Sequence, residues 1–225
     1  MMSTGSGAPT LKESKSVREY RTGEEIVNSI SHGVGILLSI AALPILIVIA
    51  HAHGGGIRLF VALVYGLTML LEYTMSTLYH ALTNETAKKV FKILDHSFIY
   101  LFIAGTYTPF CLITLANTGG VWLALFVWLV ALAGVACEAF WVFRPRWIAA
   151  VLYLLLGWSV IIYVPTLVNL LPSTGLWLLL GGGLCYSVGC LFYILKKIPY
   201  MHSVFHLWVL AGSICQFLAT AFFVL

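Results

Sequence analysis

From about residue 33 onward the chain repeats one pattern seven times: roughly twenty apolar residues, then a short polar break. The apolar runs cover about 33–50, 58–81, 93–115, 121–141, 147–168, 175–195 and 203–225. HAHGGGIR, TNETAKKVFK, LANTGG, VFRPRW, NLLPSTG and KKIPYM separate them. About twenty apolar residues in a helix cross the hydrocarbon core of a bilayer. Lipid offers no hydrogen bonds, so each run must satisfy its own backbone. The expected fold is therefore an all-α integral membrane protein, a bundle of seven transmembrane helices. Composition agrees: the chain is 61% hydrophobic and 9% charged, where a soluble domain carries about 25% charged residues. Pro44 and Pro165 fall inside runs, where neighbouring helices can satisfy the carbonyls that a proline frees.

The basic residues orient the bundle. Lys12, Lys15, Arg18 and Arg21 precede the first run, and Lys88, Lys89 and Lys92 separate the second from the third. Arg144 and Arg146 follow the fourth run, Lys196 and Lys197 the sixth, and Arg58 alone falls on the opposite side. The positive-inside rule then predicts a cytoplasmic N-terminus and an external C-terminus. Residues 1–20 are polar, rich in Gly, Ser, Pro and Thr up to Thr10, and contain no apolar core of a signal peptide. They read as a disordered cytoplasmic tail, with 21–225 as the membrane domain. The net charge of +4 is small and dispersed, which argues against a nucleic-acid surface. Cys111, Cys137, Cys185, Cys190 and Cys215 lie in apolar runs without ligand spacing and read as small buried hydrophobes.

An ionisable side chain inside a bilayer is costly and marks a candidate site. With the topology set, several fall at one depth near the cytoplasmic side. His80 ends the second run, Asp95 and His96 open the third, and His202 and His206 open the seventh. Glu25, Asn28 and His32 enter the first run from the same side. His202 and His206 are four residues apart, so their rings leave one helix face about 6 Å from each other. Such a pair can ligate one ion, as in HExxH, although the glutamate of that motif is absent. His80 is placed to supply a third nitrogen. Three imidazoles would leave a tetrahedral zinc one open position for water. Asp95 suits a carboxylate that binds this water or takes its proton, and Ser76 lies on the same face as His80, one turn away. The alternative for each histidine taken singly is an interfacial imidazole satisfied by water or backbone.

The remaining polar groups divide. His96 points about 100° away from Asp95, and its role and that of His32 stay open. His51 and His53 sit in an outer glycine-rich loop and are expected to be solvated. Glu72 shares the stripe of Ser76 and His80 but lies about 12 Å deeper. It reads either as a proton or cation site or as a protonated carboxyl hydrogen-bonded within the bundle. Glu138 is expected to pair with Arg144 or Arg146. Gly181, Gly182 and Gly183 read as a close-packing stretch, since no Lys-Ser/Thr follows to make a phosphate loop.

Ser76 and His80 in the second run, Asp95 opening DHSFIYLFIAGTYTP, and His202 and His206 in the seventh together resemble the hemolysin III family. That family is the bacterial branch of the progestin and adiponectin receptor group and is related to alkaline ceramidases. EEIVNSISHGVG also matches its opening motif, so the resemblance runs from about Glu25 to the end of the chain. It implies a multi-pass protein of the bacterial inner membrane, with an intramembrane zinc near the cytoplasmic face held by His80, His202 and His206. It further implies that Asp95 contacts the zinc-bound water and that Ser76 belongs to the same constellation.

Three functions follow as expectations. The first is a zinc-dependent hydrolase of a ceramide-like lipid amide, with Asp95 as general base or water-orienter and Ser76 as an oxyanion donor. The second is a non-enzymatic regulator or sensor of membrane state whose zinc is structural. The third is a pore or channel, supported only by Glu72 among deep ionisable groups. The expected partner is a membrane lipid, as substrate or ligand, and self-association into a homo-oligomer stays open.

Overall fold

The computed structural model describes residues 20–195 and 197–225, so all but the last residue of the expected 1–20 tail lies outside the described residues. Among those residues the secondary structure is helical throughout, and seven spans are long and apolar enough to cross a membrane. They are α1 (Thr22–Ala52), α2 (Ile57–Ala81), α3 (Glu85–Pro109) with a π-helical turn Phe110–Thr114, and α4 (Gly120–Trp141). The fifth span joins α5 (Arg146–Gly157), a 3₁₀ turn Ser159–Tyr163 and α6 (Val164–Leu170). The last two are α7 (Ser173–Ile194) and α8 (Met201–Phe223). The seven expected runs and the seven observed spans correspond one to one.

Two helices begin well before their apolar runs. In α1 the Glu24 carboxylate accepts the Arg21 backbone N–H at 3.2 Å, and acids in a first turn favour the helix dipole. The early turns of α1 are inverted relative to a soluble helix. Glu24, Glu25, Asn28, Ser31 and His32 are buried, while Ile26, Val27 and Ile30 face outward. Spacings of three and four put these polar groups on one face, turned toward the bundle and away from lipid. In α3, Asn84 Oδ1 accepts the Ala87 N–H at 3.0 Å and caps a helix that starts outside the apolar run.

The bundle closes as a ring. α1 packs on α2, α2 on α3, α3 on α4 and α5, α5 on α7, α7 on α8, and α8 returns to α1. The outer surface is apolar, with Trp122, Phe140, Trp147 and Trp177 exposed, as a lipid-facing surface requires. The fifth span breaks at Trp158, where freed backbone groups would be costly in lipid. Tyr107 of α3 meets that cost. Its hydroxyl donates to the Gly157 carbonyl at 2.6 Å and accepts the Val160 N–H at 3.0 Å. At the far end of the ring Arg58 donates to the carbonyls of Val224 and Leu225, which caps the end of α8. Gly182 permits close approach, since a Cβ there would lie 2.6 Å from Gln216 Nε2, whereas Gly181 faces open space. Cys111 and Cys190 are buried as expected; Cys137 is instead exposed on the outer face of α4.

Candidate metal centre

Each candidate ligand comes from a helix terminus at the basic end of the ring. His80 lies in the last turn of α2, and His202 and His206 lie in the first two turns of α8. All three are buried, and one ligating atom from each lies within 4.8 Å of the others. Ring centroids are separated by 5.2 Å for His80 and His202, 5.2 Å for His80 and His206, and 4.6 Å for His202 and His206. Four-residue spacing explains only the last pair. The first two arise because α1 lies between α2 and α8 and draws both toward its polar face.

That face also orients the rings. Glu25 Oε2 accepts the His80 Nδ1–H at 2.6 Å, and Glu25 Oε1 lies 2.9 Å from the buried Lys88 ammonium. Lys88 in turn donates to the Tyr79 carbonyl at 2.7 Å. His206 Nδ1–H points at the Asn28 carbonyl at 3.2 Å, with Ser31 Oγ at 2.9 Å. With Nδ1 protonated and engaged, each of these rings keeps its Nε2 lone pair for a cation. His202 stacks on Tyr20 at 4.7 Å, and its buried Nδ1 has no hydrogen-bond partner among the described residues. The donor set fits a small divalent ion that favours nitrogen. Nitrogen ligands at ~2.1 Å from such an ion would lie roughly 3.4 Å apart, so atoms within 4.8 Å of one another would need to close by at most ~1.4 Å.

The other residues singled out in the sequence lie at different distances from this group. Ser76 and Asp95 are both buried. Asp95 and His202 both border a pocket of about 20 Å³ that also touches Tyr20, Lys92, Arg144 and Arg146. That is the space of about one water molecule. His32 stacks face to face on His206 at 3.5 Å and borders an apolar cavity of about 140 Å³ that none of the three triad histidines lines. Glu72 borders the same cavity. His96 turns elsewhere: its Nδ1 lies 3.6 Å from Glu138, which is fully buried and accepts from Arg144. His51 and His53 are exposed, as expected. The roles of Glu25 toward His80 and of Asn28 toward His206 were not assigned from the sequence. The spacing of residues 25, 28 and 32 on one helical face is the signal that carries them.

A seven-helix membrane protein whose buried imidazole triad can hold a metal ion is the class that this geometry defines. Residues 20–217 match the family described as Haemolysin-III related. The chain belongs to the hemolysin III family. It is 44% identical over 202 residues to Hemolysin-3 of Bacillus cereus, covering 90% of this chain and 92% of that protein. It is also 44% identical over 200 residues to the Hemolysin-3 homolog of Bacillus subtilis (strain 168), covering 89% and 94%. A more distant likeness, 26% over 164 residues, links it to the human monocyte to macrophage differentiation factor, covering 70% of this chain and 68% of that one.

Proposed function

We propose that the protein is a zinc-dependent hydrolase of a membrane lipid amide, working near the cytoplasmic face of the bacterial inner membrane. The observation that carries this reading is a pair of unlike spaces near the triad: His202 borders the first, and His32, which stacks on His206, borders the second. One is a water-sized polar pocket bordered by Asp95, and the other is an apolar cavity of about 140 Å³. A hydrolase of lipids needs both sides, water on one and acyl chain on the other. His80, His202 and His206 would hold the zinc, which supplies Lewis acidity and an activated water.

The chain's own residues have separable tasks in this reading. Asp95 accepts a proton from water in the polar pocket and returns it to the leaving amine. Ser76, buried on α2 one turn before His80, is the candidate oxyanion donor. The apolar cavity takes the start of one alkyl chain of the substrate and excludes bulk water from the amide. The test is mass spectrometry of mixed lipid classes incubated with the protein in nanodiscs, beside its Asp95→Asn variant. Fatty acid release by wild type and its loss in Asp95→Asn, with zinc retained, is the expected outcome. Equal release by both proteins across all lipid classes would remove the enzymatic reading.

A second reading, a non-enzymatic regulator with structural zinc, is favoured by one observation. α1 packs against both α2 and α8, and the triad draws its nitrogens from α2 and α8. An ion there would tie α2 to α8, with α1 packed against both, whether or not water reacts. In that case Asp95→Asn leaves function in cells intact, and His80→Ala does not.

A further inference from the structure

Glu72 has no partner that suits it. It is 3% exposed, its Oε2 is buried without a hydrogen-bond partner, and it forms no ion pair among the described residues. Among the described residues nothing gives that oxygen the internal hydrogen bond of a purely structural carboxyl. His32 is in the same condition: 2% exposed, with both ring nitrogens buried and without a hydrogen-bond partner. Both residues border the apolar cavity. Buried polar groups are nearly always satisfied, and an intramembrane acid calls for a named partner.

The cavity says what kind of partner enters. Its wall on α3 runs from Ile99 to Phe110, about 16 Å along the helix axis. Its volume of about 140 Å³ compares with the ~150 Å³ apolar cavity that holds one benzene molecule. It accommodates a head and the first carbons of one alkyl chain. The half-buried Leu154, Trp158 and Gly183 form its wall between the fifth span and α7, so the rest of a chain can continue toward lipid. Glu72 and His32 both offer buried acceptor atoms on the wall of this one cavity. A second carboxylate is the wrong complement for this pair, and an ammonium is the right one.

We infer that Glu72 and His32 form a head-group subsite for a single-chain amphiphile bearing an amino group, and that this subsite discriminates against fatty acids. The inference concerns binding and does not require the hydrolase reading to hold. In the bound state the ammonium donates to Glu72 and His32, and the alkyl chain fills the apolar wall.

The test uses the full chain in nanodiscs of zwitterionic lipid, exposed to dodecylamine, dodecanol or dodecanoate, with adducts counted by native mass spectrometry. Wild type is expected to bind dodecylamine at least ~10-fold more tightly than dodecanoate. Glu72→Gln, nearly isosteric and neutral, is expected to bring the two within ~3-fold while zinc content and dodecanol binding stay at the wild-type level. Equal binding of amine and carboxylate by wild type overturns the proposal without any variant. An undiminished amine preference in Glu72→Gln overturns it as well. Amine binding without fatty acid release would sink the hydrolase and keep the subsite; release without amine preference would do the reverse.

Discussion

Replacing Glu25 separates two jobs that one carboxylate performs. Its Oε2 fixes the His80 ring at 2.6 Å, and its Oε1 lies 2.9 Å from Lys88, which is itself 3% exposed. Glu25→Gln keeps an acceptor for Nδ1–H but loses the charge. Groups that orient a metal-binding histidine are worth 10- to 100-fold in affinity, so Glu25→Gln is expected to weaken zinc binding ~10-fold and Glu25→Leu by nearer ~100-fold. Tenfold corresponds to about 1.4 kcal/mol. Stability responds to the other job. Leaving a buried cation without its anion costs about 3–5 kcal/mol, here toward the lower end because Lys88 still donates to the Tyr79 carbonyl. Adding Lys88→Met to Glu25→Gln removes the stranded charge. The double variant is therefore expected to regain most of the lost thermal stability while its zinc affinity stays ~10-fold low. The assays are competition with a chromophoric chelator and thermal unfolding of the metal-free protein in detergent. Zinc affinity within ~2-fold of wild type in Glu25→Gln would refute the orienting role, leaving Glu25 only as the counter-charge of Lys88.

Asn28→Ala removes the Asn28 Oδ1 that accepts from Ser203 at 2.6 Å but keeps the backbone carbonyl facing His206. It should cost about 1 kcal/mol of stability with zinc affinity unchanged, by the same two assays. Glu138→Leu strands the buried Arg144 and should cost about 3–5 kcal/mol in thermal unfolding, whereas Glu138→Leu with Arg144→Met should come close to wild type. Purified protein in liposomes should release no trapped dye, because the ionisable cluster gathers at one end of the bundle; release above that of empty liposomes would restore the pore reading.

The spans were legible because lipid imposes a length and a polarity that few sequences meet by accident. Helix starts were less so. Glu24 and Glu25 look like residues outside a membrane helix, and only the packing of α1 against α2 and α8 turns them inward. The break at Trp158 depends on Tyr107, which lies far away in sequence on α3. At the site, four-residue spacing and shared depth are enough to group His80, His202 and His206. The pairing of Glu25 with His80 depends on how two helices are rotated about their axes, and periodicity within one helix does not contain that. His96 shows the same limit: adjacent to Asp95 in sequence, it leaves the triad for Glu138.

The break at Trp158 has a kinetic consequence. It borders the apolar cavity on the side of α7, and the amphiphile proposed above would enter there, out of the bilayer. Such a ligand is never at an aqueous concentration when it binds. Occupancy should follow its mole fraction among the surrounding lipids, and diluting vesicles at fixed lipid composition should leave saturation unchanged. For this protein, doubling the membrane around it would act as a competitor.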